Sequence, residues 1–110
     1  MSDEAKKRIR ELNDLLRRTG RSGVIVCTAG VHALGAEARI EVMRSVMTFD
    51  AFDEDNNPHG EHDFGAIEIA TQRLFWKIDY YDLTLTAGSE DPSDPQRTRR
   101  VLTIMLAEEY

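Results

Sequence analysis

Along the first segment of the chain, hydrophobic positions recur every three or four residues: Ile9, Leu12, Leu15 and Leu16, with Lys and Arg on the remaining faces. That spacing predicts an amphipathic helix over residues 3–19. Gly20 is placed for a left-handed cap, and Arg17 and Arg18 occupy the last turn, where cations suit the helix dipole. A β-branched run follows, Val24-Ile25-Val26-Cys27-Thr28 between Gly23 and Gly30, and reads as a short buried strand. Helical spacing returns at Ile40, Met43, Val46 and Met47, with Ala36 one turn earlier. It predicts a helix over 36–49 whose apolar stripe packs into the core.

Periodicity then disappears from residue 50 to 63, where Asn56-Asn57-Pro58 and Gly60 break regular structure. Residues 64–81 alternate as a hairpin. With a turn at Thr71-Gln72, Ile69, Ile67 and Gly65 share one face with Leu74, Trp76 and Ile78, and a one-residue slip would destroy that face. Leu83-Thr84-Leu85-Thr86 offers a short extension. At the end, Asp94 is a ready N-cap and Pro95 suits the first helical position, so Val101, Leu102, Ile104, Met105 and Leu106 are expected on a broad-faced central helix over 95–109, packed on the Trp76 side of the hairpin. The order implies an α+β fold: a small, mainly antiparallel sheet, built from a short strand plus a hairpin, packed by three helices in a single layer.

At 110 residues the chain has room for one domain with one modest core. Its single cysteine, Cys27, excludes an internal disulfide and suits a cytoplasmic setting, and no apolar run or N-terminal leader suggests a membrane. The net charge of −6 is unevenly spread. Residues 1–23 carry seven Lys/Arg against four Asp/Glu, whereas 24–96 carry four against fourteen. An acidic body argues against direct nucleic-acid binding, which needs a basic surface, and suits a basic protein partner.

Chemistry concentrates in the 50–63 segment, which has six carboxylates and no Lys or Arg. Asp53, Asp55 and Asn57 match the first, third and fifth positions of a calcium loop, but Pro58 stands where a glycine must turn and Phe64 where a bidentate Glu is required. In His59-Gly60-Glu61-His62-Asp63, two imidazoles three residues apart can share a zinc, with Asp63 as a third ligand and Glu61 as general base of a metal-dependent hydrolase. Cys27 and His32 are the remaining soft or imidazole ligands. Neither they nor Gly30-Val31-His32-Ala33-Leu34-Gly35 complete a catalytic or phosphate-binding motif. Six repelling acids need anchors. Phe52 and Phe64 can bury their rings at the loop ends, which predicts an ordered loop on the outer face of the hairpin, near Glu68 and Lys77.

Three stretches together resemble a known family: Phe49-Asp50-Ala51-Phe52 leading to Asn57-Pro58-His59-Gly60-Glu61-His62-Asp63-Phe64-Gly65; Phe75-Trp76-Lys77-Ile78-Asp79-Tyr80-Tyr81-Asp82; and Arg100 to Tyr110. They look like domain of unknown function 3768, found in small bacterial and phage proteins, with the resemblance running from about Ile9 to Tyr110. No activity comes with that resemblance. Its association with mobile elements implies an interaction module, including inhibitors of host defence or nucleic-acid-binding proteins. With no complete catalytic set, the sequence leans toward a non-enzymatic protein-binding module without a cofactor. Its contact residues are expected to be Asp53, Asp55, Glu61, Asp63, Asp79 and Asp82, with Trp76 or Tyr81 as aromatic anchor. The zinc hydrolase centred on His59, His62, Asp63 and Glu61 is the rival.

Overall fold

The computed structural model describes residues 2–110. Helix α1 spans Asp3–Thr19; the Ser2 side chain caps its start by accepting from the Ala5 N–H, and left-handed Gly20 closes it. Its buried stripe is Ile9, Leu12, Asn13, Leu16 and Arg17, whereas Leu15 faces outward. Strand β1 (Gly23–Cys27) leads through the single turn α2 (Ala29–His32) to α3 (Ala36–Met47). After the long segment come β2 (Phe64–Ile69), β3 (Gln72–Tyr81), β4 (Arg99–Leu106) and a final 3-10 turn, Ala107–Glu109. The strands form one sheet in the order β1-β4-β3-β2, parallel between β1 and β4 and antiparallel elsewhere. This is an α+β fold.

The largest departure from the sequence-based expectation is the last element. Residues 95–109 are not a central helix; their core is β4, an inner strand of the sheet. The Asp94 cap does form locally, accepting from the Gln96 N–H, but it closes only a turn. From Arg99 onward the side chains alternate. Arg100, Leu102, Ile104 and Leu106 face the helices while Val101, Thr103 and Met105 face away, so the stripe too broad for a helix is a strand apolar on both sides. Pairing with β1 and β3 satisfies its backbone on both edges, which outweighs one local capping signal.

Other elements shift less. β1 is an edge strand and not a buried one, with Val24 and Val26 exposed and only Ile25 and Cys27 turned toward the core. The hairpin keeps its expected faces but turns one residue earlier, at Ala70-Thr71, so each cross-strand pairing moves by two. Ile69 pairs with Gln72, Ile67 with Leu74 and Gly65 with Trp76, and both turn residues take the positive φ of a two-residue turn that follows strand twist. Gly65 lies against the Trp76 indole and the Phe49 ring, where a Cβ would fall 2.8 Å from Phe49 Cζ. Helices and inner sheet face enclose one core around Leu16, Val31, Val42, Val46, Leu74, Trp76, Leu102 and Ile104. On the outer face Phe64, Phe75 and Tyr110 form an aromatic cluster separate from the core. Among the described residues no helix is long and apolar enough to cross a membrane.

Candidate functional site

Residues 50–63 have no helix or strand, yet their backbone is tied at every turn. The Asp53 carboxylate accepts from the N–H groups of Asp55 and Asn56, Asn56 donates to the Ala51 carbonyl, and the Asn57 side chain accepts from the His62 N–H. Positive φ at Gly60 and His62 lets the chain reverse here. Short Asx-type bonds of this kind are why Asp and Asn crowd the segment.

The anchors come from α1 and the core, not from the outer sheet face. Phe52 meets Phe49 edge-on at 4.9 Å and lies edge-on to Trp76 at 6.1 Å. The His62 ring stacks flat on Phe52 at 3.8 Å, and its Nδ1 lies 3.0 Å from Asp14 Oδ1. Arg10 donates to the Gly60 carbonyl and Asn13 to the Glu61 carbonyl. Lys77, expected as the loop's nearest cation, pairs with Asp79 at 2.8 Å, and Phe64 belongs to the outer aromatic cluster. The expected docking beside Glu68 and Lys77 is therefore replaced by docking on α1, because that helix turns Arg10, Asn13 and Asp14, within about one turn of each other, toward the segment.

Behind the segment lies a buried polar network. Tyr80 donates to Glu61 Oε1 at 2.7 Å and accepts from Asn13 Nδ2 at 2.8 Å. Arg100 donates from Nε to Asn13 Oδ1, donates to the Pro92 carbonyl, and lies over the Tyr80 ring at 5.2 Å. Burial and the Glu61 bond push the Tyr80 hydroxyl far above its ordinary range, so it stays a donor. Arg100 thereby couples the 50–63 segment to the 82–98 connection, in which Pro92 sits. Sequence reasoning missed Asn13, Arg17, Tyr80 and Arg100 as site-builders. Their signal was position: Asn13 and Arg17 continue the Ile9 stripe, and Arg100 continues the Leu102–Ile104 alternation.

The expected contact residues separate into groups. Asp63 lies within electrostatic reach of Glu61, His59 and Asp79: burial first, then the Glu61 carboxylate, pushes it above the usual carboxylate range, while His59 opposes the shift and Asp79 adds to it. Asp53 and Asp55 line a shallow hollow beside β2 with Phe64 and Arg73. Tyr81 is half-buried, and Asp82 accepts from the N–H groups of Thr84 and Thr86 at the start of the next connection. Trp76 is 0% exposed and is removed as a surface anchor.

The zinc set does not assemble. Among the described residues no three His, Cys, Asp or Glu side chains converge as a metal ion requires. His62 is committed to Asp14 and to the Phe52 ring, leaving His59 and Asp63 short of a ligand set. Burial pushes the Cys27 thiol above its ordinary value, the opposite of an activated nucleophile.

One carboxylate is plainly structural. Glu109 accepts from the Thr28 hydroxyl and from the N–H groups of Gly30 and Leu106, and these bonds hold its pKa below the ordinary 4.5, the Thr28 bond most strongly. A depressed folded-state carboxyl contributes stability above its unfolded value and loses it as pH falls through the folded value. Thermal unfolding followed downward through pH 4.5 is therefore expected to show a shallower acid limb for Glu109→Gln than for the wild type. Parallel limbs would mean that the carboxylate adds nothing to the C-terminal turn.

The fold and site define a small α+β protein with one helical layer and a buried network of Asn13, Tyr80 and Arg100 that holds Glu61. The chain belongs to the family described as Protein of unknown function (DUF3768), whose model matches residues 27–109. No curated protein and no solved structure matches it. Asn13 and Arg17 lie outside the matched region, in α1.

Proposed function

We propose that the protein is a non-enzymatic binding module that presents an acidic end to a basic protein partner. The observation that carries this reading is topological. β3 runs antiparallel to both neighbours, so its C-terminal end adjoins the starts of β2 and β4. There the 61–63 end of the 50–63 segment approaches the 82–98 connection with its Asp82, Glu90, Asp91 and Asp94, while Arg97 is paired with Glu90 and Arg99 opens β4 opposite Tyr81. Bonds from Arg10, Asn13 and Arg100 hold the backbone of both, so the carboxylates are ordered before a partner arrives, which lowers the entropy cost of binding.

The complementary chemistry is a Lys/Arg-rich protein surface, as on a nucleic-acid-binding protein whose phosphate ligand the carboxylates imitate. Tyr81 supplies the aromatic contact at this end. The mobile-element associations of the family resemblance suit an inhibitor of a host defence or nucleic-acid-binding protein. No cofactor and no direct contact with nucleic acid or membrane enters this mechanism.

The triple variant Glu61→Gln, Asp63→Asn, Asp79→Asn tests the proposal in capture from host lysate at low and high salt. Wild type is expected to retain basic proteins that elute as salt rises, and the variant to associate with them several-fold more slowly and with a weaker salt dependence. Capture that holds equally at high salt, or that ignores the three substitutions, sinks the acidic-surface reading.

A further inference from the structure

Helix α3 is apolar on two faces. Val42 and Val46 point inward and are fully buried, as a core helix requires. Ala36, Ile40, Met43 and Met47 follow at four-, three- and four-residue steps on a second face, where they line a shallow cavity of about 560 Å³ flanked by Arg39 and Arg44. Ile40 is 61% exposed and Met47 41%. The sequence expectation put Ile40, Met43, Val46 and Met47 in the core; the structure buries Val46, packs Met43 partly against the core, and leaves Ile40 and Met47 in water, where apolar surface is unfavourable.

The charges beside the stripe indicate what covers it. Glu37 and Arg44 lie seven residues apart, two turns along the same flank, both exposed. Among the described residues neither has an ion-pair partner. A helix that crosses a copy of itself antiparallel about a two-fold axis brings each Glu37 toward the partner's Arg44, forming two equivalent pairs. The same axis sets Ile40 against the partner's Met43, and small Ala36 against the partner's long Met47. A parallel two-fold arrangement would instead set opposite flanks together and bring Arg39 toward the partner's Arg44, opposing like charges.

We infer that α3 is a self-association helix, and that the protein forms a two-fold dimer through antiparallel packing of its Ala36–Met47 stripe on that of a second copy. The pairing uses no residue of the acidic end, so it leaves that surface available.

The test is sedimentation of the full chain over a rising concentration series. Wild type should pass from monomer to dimer. Ile40→Glu should weaken the dimer by at least about a hundredfold while leaving the thermal midpoint of the monomer nearly unchanged, because the residue is exposed. Glu37→Arg alone and Arg44→Glu alone should each weaken it on the order of tenfold, and the two combined in one chain should restore it. A protein that stays monomeric at every concentration overturns the inference and assigns the stripe to a foreign partner. So does a dimer indifferent to Ile40→Glu, or a double swap no tighter than the single ones.

Discussion

Replacing Arg17 with alanine is expected to lower the unfolding free energy by about 3–5 kcal/mol, a large part of the ~5–15 kcal/mol typical of such a domain. The guanidinium is 1% exposed, and its centre lies 5.4 Å from the ring centres of both Phe52 and Trp76. Nη1 donates to the carbonyl of Phe49, just past the end of α3, and to that of Val46, whose other donor is the Phe49 N–H at 3.4 Å, and Nη2 pairs with Asp14 at 2.8 Å. Truncation strands the Phe49 carbonyl, leaves the Val46 carbonyl with only its long bond from the Phe49 N–H, opens a void beside two aromatic rings, and removes the guanidinium that holds Asp14 where it meets His62. Arg17→Met refills the volume but not the donors, so it should fall between alanine and wild type. Urea denaturation reads the stability. Amide exchange reads the loop, and residues 57–63 should lose protection before the sheet does. An alanine variant within about 0.5 kcal/mol of wild type would show that water replaces the guanidinium at little cost.

Trp76→Ala should be equally damaging, with a cost of about 3–5 kcal/mol from lost burial and the remaining cavity. The indole is the largest fully buried side chain, and Phe49, Phe52, Arg17 and Gly65 all pack against it. Its removal leaves the 50–63 segment without the wall on which its aromatic anchors stand. Were Trp76 a surface anchor, the same change would spare folding and harm only partner binding. The thermal midpoint therefore separates the two roles directly. Trp76→Phe is expected to cost much less than alanine, since it keeps an aromatic wall and deletes an indole N–H that is buried without a partner.

Much of the architecture was legible locally. The α1 helix, its left-handed Gly20 cap, the faces of the hairpin and the α+β class follow from spacing and turn residues, because those features depend on neighbours within a few positions. The candidate site was legible only in part. Glu61, Asp63 and Asp79 were singled out as acids, and the structure sets Asp63 within electrostatic reach of the other two while Glu61 accepts from the Tyr80 hydroxyl of the buried network. The network escaped notice since a polar residue within an apolar stripe looks like an interruption until its partner, 48 or 87 positions away, is known.

By itself the sequence determined which residues are apolar, where the first helix and the hairpin lie, and which segment carries the acids. Only the tertiary structure decided that Val101–Leu106 is an inner strand, that α3 keeps a second apolar face outside, and that His62 serves Asp14 and Phe52. The physical reason is common to all three. A β-rich apolar run can be helix or strand until the chain supplies neighbouring backbone to pair with, and an apolar stripe becomes core only if another layer arrives to cover it. A histidine's role likewise depends on which group meets its ring nitrogen first. Here β1 and β3 bracket β4, the core takes Val42 and Val46 and leaves Ile40 outside, and α1 brings Asp14 to His62.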